Sequence, residues 1–287
     1  MNTQTLGKDY LTIKDFAGLV DMTTAALRHY DNKGIFQPSK SGAEAGNKYR
    51  YYSPTQITTV KLIRVLSEIG VPLQTIRELT ESRTPEKMLK LLSRERDIIA
   101  EKLRFMTDVH LVINTFLDLI NAGMCATETD ISVCEIPEKQ IILGDVNNFD
   151  GSVGFFREFT GFCNANHVPK LNLSYPIGGF FENMEVFLKA PSQPTRFFSL
   201  DPKGYETRAA GRYLVGYTRG YYGQTNGLPG RMAAFAKKNG LRFSGPVYNI
   251  YLFDEISEIN PEKYLLQVAA SVTETRRISP RHLRTQP

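Results

Sequence analysis

The chain has 287 residues, of which 41% are hydrophobic and 23% are charged, a composition that can support two hydrophobic cores rather than one. No segment approaches the roughly 20 consecutive apolar residues of a membrane span. The N-terminal residues lack the basic cluster and apolar run of a secretory signal. Three cysteines, Cys125, Cys134 and Cys163, are too few and odd in number for a disulfide framework. We therefore expect a cytoplasmic protein without a membrane segment.

Charged and aromatic residues are distributed unevenly along the chain. Residues 1–83 carry 11 Lys or Arg against 8 Asp or Glu, residues 84–122 carry 6 against 6, and residues 123–275 carry 14 against 16. Residues 276–287 contain four Arg and no acidic residue. In contrast, 22 of the 31 Phe and Tyr lie within residues 123–275. This distribution suggests that a basic head binds nucleic acid while an aromatic-rich segment holds something apolar.

The first predicted motif is a helix-turn-helix. Leu11–Val20 places apolar side chains at helical spacing. After a short break, a second helix is predicted to begin near Thr23, and two short helices joined by about three residues have the spacing of this motif. On the second helix Leu27 is expected to face the core, which turns Arg28 and His29 toward solvent.

A β-hairpin wing is predicted next, because the polar, glycine-containing loop Gly42–Lys48 separates two short segments with strand character. The helix that follows is predicted to start at Ser53–Gln56. There Ser and Gln three residues apart form a capping box, and proline occupies the first helical position. A further short helix is predicted over Leu73–Glu81.

The exposed side chains of the second helix and of the wing are candidates for contact with double-stranded DNA, because phosphates and base edges need hydrogen-bond donors. Tyr49 and Tyr51 share one face of the wing strand, while Arg50 and Tyr52 share the other, so only one pair can lie on DNA. Arg50 is expected to contact the DNA backbone, and packing of any tyrosine inside the wing stays an equal alternative. The candidate DNA-binding residues are Arg28, His29, Tyr30, Lys48, Tyr49, Arg50, Tyr51 and Tyr52.

The longest helix is predicted over residues 84–122. From Leu89 to Ile120 apolar residues recur at alternating spacings of three and four, with breaks only at Arg96 and His110. Such a narrow seam predicts a coiled coil and therefore a homodimer. The alternative is a core helix of one large domain. We interpret His110 as a polar residue that sets the register.

After residue 123 the pattern changes to strands and contains an internal repeat. Each copy has a strand, a helix, a strand with a proline near its start, and a closing strand. We predict that two such β-α-β-β units build one sheet with helices on one face and a cleft between the halves. The first copy comprises residues 131–146, 153–164, 175–181 and 196–200, and the second comprises residues 208–218, 228–239, 245–251 and 264–271.

The segments Leu27–Asp31, Tyr49–Tyr52 and Ile69–Leu73 together resemble the signature of MerR-type regulators over residues 10–122. The resemblance implies a homodimer with an antiparallel coiled coil. It also implies binding between two promoter elements whose spacer is too long for efficient use by RNA polymerase holoenzyme. Such regulators kink and untwist the spacer when they are activated, which is a deformation of the DNA rather than recruitment of the polymerase.

Residues 129–275 resemble, more loosely, the GyrI-like effector domain of multidrug-sensing members of that family. The resemblance implies a pocket between the repeats for bulky, flat, often cationic compounds, with a buried glutamate as counter-ion. The position of that glutamate corresponds to Asn249 here. A cation would therefore have to be held by aromatic ring faces, Glu182 or Glu185, and uncharged ligands become a stronger alternative. Simple core packing is the alternative for each aromatic residue. The candidate ligand-binding residues are Phe155, Phe156, Phe159, Ile177, Phe181, Tyr213, Tyr217, Val247, Asn249 and Tyr251.

The predicted fold class is α+β, with an N-terminal winged helix-turn-helix at 1–83, a long antiparallel coiled-coil dimerisation helix at 84–122, a C-terminal tandem β-α-β-β domain at 123–275 and a basic tail at 276–287. The predicted function is a ligand-responsive transcription activator, with no catalytic residue, no metal ligand and no cofactor. Its expected partners are double-stranded promoter DNA, RNA polymerase holoenzyme, a lipophilic small-molecule effector and a second copy of the chain.

Two other functions stay open at this point. Cys125 and Cys134 flank a short segment after the dimerisation helix, where metal-sensing relatives place paired cysteines, and thiolates suit soft or borderline metals. No nearby histidine or third cysteine completes such a site. A hydrolase would use Glu182, Glu185 and Tyr251 in acid–base roles, although no nucleophile, base and orienting group occur at a recognisable spacing.

Overall fold

A computed structural model describes residues 10–41, 49–150, 153–168, 171 and 173–274. The chain divides into two compact units, residues 1–102 and residues 103–287. Each unit is described by itself.

The N-terminal unit contains the predicted helix-turn-helix. After a short strand, β1 (Leu11–Thr12), come the helices α1 (Ile13–Leu19) and α2 (Thr24–Asn32). Each helix is capped by a threonine, since Thr12 accepts a hydrogen bond from the backbone N–H of Asp15 and Thr23 accepts one from that of Ala26. The caps fix both helix starts where the sequence pattern predicts them.

A three-stranded sheet forms the described part of the wing. The strands β2 (Lys40–Ser41) and β3 (Arg50–Tyr52) join β1 in the order β1-β3-β2, and both pairings are antiparallel. Residues 42–48 lie outside the described residues, and so does the candidate DNA-binding Lys48. The hairpin predicted around this loop therefore has its two flanking strands in place.

The predicted capping box is present after the wing. Gln56 accepts a hydrogen bond from the backbone N–H of Ser53 at 3.0 Å and donates another to the carbonyl oxygen of Gln37 at 2.9 Å. The helices α3 (Ile57–Glu68) and α4 (Leu73–Glu81) follow. Gly70 lies between them at φ +90°, a conformation that glycine adopts without strain.

Tyr52 is a core residue of the head, which corrects its assignment as a candidate DNA contact. Its side chain is 0% exposed, and its ring stacks on Phe16 at 4.6 Å and on Phe36 at 5.7 Å between ring centroids. Period two along β3 directs Tyr52 inward. A fully buried ring cannot lie on DNA, so the alternative of packing inside the wing is the one realised here.

The long helix α5 (Pro85–Cys125) has 41 residues. Six apolar residues of the predicted seam are between 45% and 70% exposed in the single chain: Leu89, Leu92, Leu103, Met106, Ile113 and Leu117. Another face of the C-terminal half packs on its own unit, where Val112 contacts a small core with Val168 and Tyr175. One face of this helix therefore belongs to a domain core, and a separate apolar seam is left uncovered by the described residues.

The C-terminal unit is an eight-stranded sheet with helices. In chain order the elements are β4 (Ile131–Ile136), β5 (Lys139–Leu143), α6 (Gly154–Ala165), β6 (His167–Val168), β7 (Leu173–Ser174), β8 (Ile177–Phe181), α7 (Met184–Lys189), β9 (Arg196–Ser199), β10 (Glu206–Arg208), β11 (Gly211–Arg219), α8 (Leu228–Lys238), β12 (Leu241–Phe253) and β13 (Leu265–Glu274). The order in the large sheet is β10-β5-β9-β8-β12-β13-β11-β4, while β6 and β7 form a separate pair.

This strand order reads almost the same from both ends, as the internal repeat predicts. The middle strands of the two copies, β8 and β12, pair at the centre, each followed outward by the closing strand and then the first strand of its own copy. The first strands also pair with each other across a break, because Ile136 is opposite Gly211 and Lys139 is opposite Arg208. In these pairings β4 lies beside β11 and β5 lies beside β10, so the two first strands form one antiparallel ribbon that is interrupted in the middle. The helix α7, inserted in the first copy only, was not predicted.

The two faces of the sheet carry different cores. Phe181, Val247 and Leu214 pack with the helices α7 and α8 on one face. Tyr213, Tyr217 and Tyr248 face the other core, which includes Leu119 of α5. Period two along each strand produces this division. The assignment of Tyr213 and Tyr217 to the same cleft as Asn249 is therefore wrong, because their side chains leave the opposite face of the sheet.

The burial of Tyr52 leads to a stability prediction for the head. The Tyr52 hydroxyl is buried and has no hydrogen-bond partner among the described residues, so Tyr52→Phe is expected to leave the free energy of unfolding unchanged or to raise it by about 1 kcal/mol. Tyr52→Ala is expected to lower it by about 3–5 kcal/mol. Amide hydrogen exchange in α1 and α3 of the full chain measures both effects locally.

The matched control is Tyr49, whose side chain is 59% exposed. Tyr49→Ala is expected to change the stability of the head by no more than about 0.5 kcal/mol. A clear loss of protection in Tyr52→Phe would show that the hydroxyl has a stabilising partner and would contradict the prediction.

Candidate functional site

The helix α2 presents a polar face beside the head core. Leu27 is fully buried, while Arg28 and His29 next to it are exposed. Tyr30 is half-buried and packs against the head core, so its ring belongs partly to the core. Arg28 makes no hydrogen bond or ion pair with another described residue, which leaves its guanidinium available for an external acceptor. This face has the donors that a recognition helix needs.

An ion pair connects the wing to α2. The Arg50 Nε donates to Asp31 Oδ2 at 2.6 Å, and both side chains are only about one-fifth exposed, at 23% and 20%. Tyr49 lies on the outer side of the wing and Tyr51 is half-buried. The pair fixes the direction of the Arg50 side chain, and the remaining guanidinium nitrogens stay as donors. Sequence reasoning singled out Arg50 but missed Asp31, whose signal was an acidic residue at the end of a predicted recognition helix.

A pocket lies on the helix-covered face of the C-terminal sheet. Its cavity volume is about 70 Å³. Of the ten predicted ligand-binding residues, five line it: Phe155, Phe159, Ile177, Asn249 and Tyr251. They come from α6, from β8 and from β12, so the sheet and one helix bring together side chains that are distant in sequence.

The other five predicted residues lie elsewhere. Phe181 and Val247 point to the correct face but are 0% exposed in the core beneath α7 and α8. Phe156 is 62% exposed on the outer side of α6. Tyr213 and Tyr217 face the opposite core, as described above. The period-two argument identified the right strand and face for β12, but it carried no information on how deep each side chain lies.

Aromatic rings make two walls of the pocket. Phe155 and Phe159 lie nearly parallel at 6.2 Å, and Phe197 meets both edge-on at 5.6 and 5.5 Å between centroids. On the other side, the Tyr222 and Tyr251 rings are in edge-to-face contact at 4.7 Å. Sequence reasoning missed Phe197 and Tyr222, although Phe197 lies on a predicted strand whose alternation would have placed it with Gly179.

The tyrosine hydroxyls of this wall already have hydrogen-bond partners. The Tyr251 hydroxyl accepts from the backbone N–H of Gly223 and donates to the carbonyl oxygen of Tyr221, both at 3.2 Å. The Tyr222 hydroxyl donates to Glu255. Burial raises the pKa of Tyr251 to about 12 and the pKa of Tyr222 even more. Both rings therefore face the pocket as neutral aromatic surfaces.

Asn249 is held in place at the sheet side of the pocket. Its Oδ1 accepts a hydrogen bond from the backbone N–H of Gly179 at 2.8 Å. A Cβ atom at residue 179 would lie 2.5 Å from that oxygen and 2.7 Å from Pro194, so only glycine fits. No described residue accepts a hydrogen bond from the Asn249 amide nitrogen.

The carboxylates and cysteines that the sequence offered for a counter-ion, a hydrolase or a metal site do not line this pocket. Glu182 and Glu185 are exposed, and Glu182 accepts a hydrogen bond from Thr195. Cys125 is exposed and Cys134 half-buried. Within the described part of the chain, no group of three His, Cys, Asp or Glu side chains is placed to hold a metal ion. None of the described helices is both long and apolar enough to cross a membrane.

Comparison with known proteins gives a family match for the head and relatives that are regulators. Residues 11–83 match the family described as MerR HTH family regulatory protein. Over 270 residues the chain is 28% identical to the multidrug-efflux transporter 2 regulator of Bacillus subtilis, which covers 91% of this chain and 97% of that protein. Over 96 residues it is 34% identical to the transcriptional regulator BrlR of Pseudomonas aeruginosa, which covers 32% of this chain and 35% of that protein.

A solved structure of an EcmrR–DNA complex, determined by cryo-electron microscopy, is 18% identical, with a TM-score of 0.38, and covers 92% of this chain and all of that one. The head therefore contains a helix-turn-helix domain of the MerR type, and the chain is similar along nearly its whole length to a regulator from Bacillus subtilis.

Proposed function

We propose that the chain is a ligand-responsive transcription activator that binds promoter DNA as a homodimer. A lipophilic aromatic compound would bind in the pocket described above, and the bound form would distort a long promoter spacer for RNA polymerase holoenzyme. The observation that carries the proposal is an aromatic-walled pocket in a chain that also has a helix-turn-helix head. The similarity to a regulator of a multidrug-efflux transporter along nearly the whole chain supports the same function.

The DNA contacts are proposed for the exposed side of α2 and of the wing. Arg28 and His29 would reach the major groove, while Tyr49, Tyr51 and the free nitrogens of Arg50 would contact the backbone. The ion pair between Arg50 and Asp31 supports this division, because it holds the wing donor at a fixed position relative to α2. Tyr30 is also proposed to contact DNA, through its hydroxyl, while its ring packs against the head core.

The dimer is proposed to form through residues 84–122, by pairing two copies of the exposed seam of α5 in antiparallel orientation. Six large apolar side chains at heptad-like spacing are each at least 45% exposed in the single chain, and such a stripe is costly to leave in water. We further propose residues 1–83, 84–122 and 123–275 as the three functional segments. The basic tail 276–287 lies outside the described residues.

The strand β12 offers a route from the pocket to the dimerisation helix. Asn249 and Tyr251 line the pocket, and a register shift follows between Tyr251 and Phe253. Such a bulge turns a side chain to the other face of a sheet, and Phe253 indeed joins the core on the α5 side. There Leu252 and Phe253 close around Gly123, where an added Cβ would lie 2.6 Å from the Phe253 ring. We propose that ligand binding shifts this contact.

The proposed contact between Arg28 and DNA predicts a change in the salt dependence of operator binding. Arg28→Ala is expected to weaken binding to the operator by about 1–3 kcal/mol and to lower the slope of log K against log salt by about one, because one cationic group leaves the DNA surface. Fluorescence anisotropy with an operator selected from random duplexes measures both. Lys237→Ala removes the same charge from α8, which belongs to the C-terminal unit, and should leave both values as in the wild type. An Arg28→Ala protein with the wild-type salt slope would contradict the assignment.

The proposed function itself is tested at the pocket. Phe159→Ala removes one wall of the pocket and is expected to weaken effector binding by at least about tenfold, with unchanged affinity for the operator. In vitro transcription from templates with stepwise shortened spacers, with and without a panel of lipophilic aromatic compounds, is the measurement. Phe156→Ala, an exposed neighbour on the same helix, is the matched control. If no compound stimulates transcription from the long-spacer template, the proposed function is wrong.

The route through β12 predicts that ligand binding and transcription can be separated. Gly123→Val should bind effector and operator as the wild type does, yet lose about fivefold or more of the ligand-dependent stimulation, because the new side chain collides with Phe253. Gly161→Val, at a helical glycine with open space around it, is the control. The double variant Gly123→Val/Phe253→Ala should recover stimulation. Normal stimulation in Gly123→Val would refute the route.

A further inference from the structure

The orientation of the Asn249 side chain determines which ligands its pocket favours. Its Oδ1 is occupied by the backbone N–H of Gly179, and no described residue takes a hydrogen bond from its Nδ2. An amide nitrogen can only donate hydrogen bonds. Asn249 therefore presents a donor, and a bound molecule needs an acceptor to match it.

The walls of the pocket select for flat compounds. Phe155 and Phe159 are parallel to within 6°, with Phe197 edge-on to both. Gly179 keeps the sheet side of the pocket free of a side chain, since a Cβ atom there would lie 2.5 Å from Asn249 Oδ1 and 2.7 Å from Pro194. The cavity volume of about 70 Å³ is well below the roughly 300 Å³ of ordinary ligand pockets. Because a cavity that holds benzene has about 150 Å³, the pocket has to widen for any ring system, and compounds of one or two fused rings need the least widening.

Charge is disfavoured in this pocket. Among the described residues that line it there is no Asp, Glu, Lys or Arg. Both tyrosine hydroxyls donate away from the cavity, to the Tyr221 carbonyl oxygen and to Glu255. A cation would lose its hydration and gain only ring faces, and burial of a charge without a counter-charge is costly.

We propose that the pocket binds uncharged, flat aromatic compounds that carry a hydrogen-bond acceptor, and that Asn249 Nδ2 donates the selecting hydrogen bond. This ligand class rests on the proposed function, because it assigns the effector of the same pocket. It excludes lipophilic cations as the preferred ligands.

Three probes of nearly equal shape test the proposal with the full-length protein. 1-Methyl-4-quinolone carries a carbonyl acceptor, 1-methylquinolinium carries a positive charge, and 1-methylnaphthalene carries neither. Isothermal titration or fluorescence quenching gives the three dissociation constants. The wild type is expected to bind the quinolone about tenfold more tightly than either of the others, as one hydrogen bond in a dry site provides.

Asn249→Asp is the decisive variant, because it has the same shape and still accepts the hydrogen bond from Gly179. The free amide nitrogen becomes a carboxylate oxygen. The variant is therefore expected to lose about tenfold in quinolone binding and to gain at least as much in quinolinium binding. Asn249→Leu should remove the difference between the quinolone and the naphthalene. Unchanged naphthalene binding in both variants shows that the pocket is still folded.

The outcomes separate this proposal from the proposed function. If the wild type prefers the quinolinium, or if Asn249→Asp leaves the order of the three probes unchanged, the ligand class is wrong while the pocket remains the effector site. If none of the probes binds the wild type and no aromatic compound stimulates transcription, both proposals are overturned. Probes that bind equally to the wild type and to Phe159→Ala lie outside the pocket, which also overturns this one.

Discussion

The alternation of side chains along β12 is the constraint on which the C-terminal unit depends. Tyr248, Ile250 and Leu252 fill the core that includes the end of α5, while Asn249 and Tyr251 between them face the pocket. Neither set can move without the other, because both belong to one strand paired on both sides with β8 and β13. The bulge near Phe253 ends this alternation and places two consecutive side chains against Gly123. The single strand β12 therefore contacts both the pocket and the C-terminal end of α5.

In the head, the equivalent constraint is the ion pair between Arg50 and Asp31. Each side chain is only about one-fifth exposed, so the pair is partly shielded from solvent but is not in the dry interior. Pairs of this kind contribute more to geometry than to stability. Tyr52, two residues along β3, locks the same strand to the core through its stacked ring. The wing is thus fixed at its base by an apolar contact and toward its tip by an ionic one.

The sequence was sufficient for those parts of the fold whose signals are local. Threonine caps, the capping box of Ser53 and Gln56, and the start of α5 depend on residues within one helical turn, and the structure contains all of them. The repeat was visible because both copies keep the same order of elements. The helix α7 has six residues, too few for the periodicity to be recognised.

The candidate sites were predictable only in part, since they depend on facts that periodicity does not contain. Alternation separates the two faces of a strand, but it does not say which face points to the pocket. Placing Tyr213 on the face opposite Asn249 requires the register with which β11 pairs with β13. Phe181 and Val247 are on the predicted face, and only the position of α7 and α8 above them makes them core rather than pocket. The role of Asp31 could not be predicted, because its partner Arg50 lies on a different element and only the folded chain brings the two side chains together. Depth, register and distance are properties of the assembled chain.

The energetics of a switch place a further condition on the pocket. Moving a two-state protein from 1% to 99% active requires a ligand that binds the active state more tightly by about 5.5 kcal/mol. One neutral hydrogen bond from Asn249 contributes only about 1 kcal/mol, so it can select among ligands but cannot drive the change. The larger part has to come from aromatic burial, at about 25 cal/mol per Å² of apolar surface. Burial drives a switch only if the pocket encloses the ligand better in one state than in the other. Under the proposed function, a cavity of about 70 Å³ has to widen before it can enclose a two-ring compound. This widening separates the walls formed by α6 and β12, and β12 is also the strand whose residues Leu252 and Phe253 lie against Gly123 of α5.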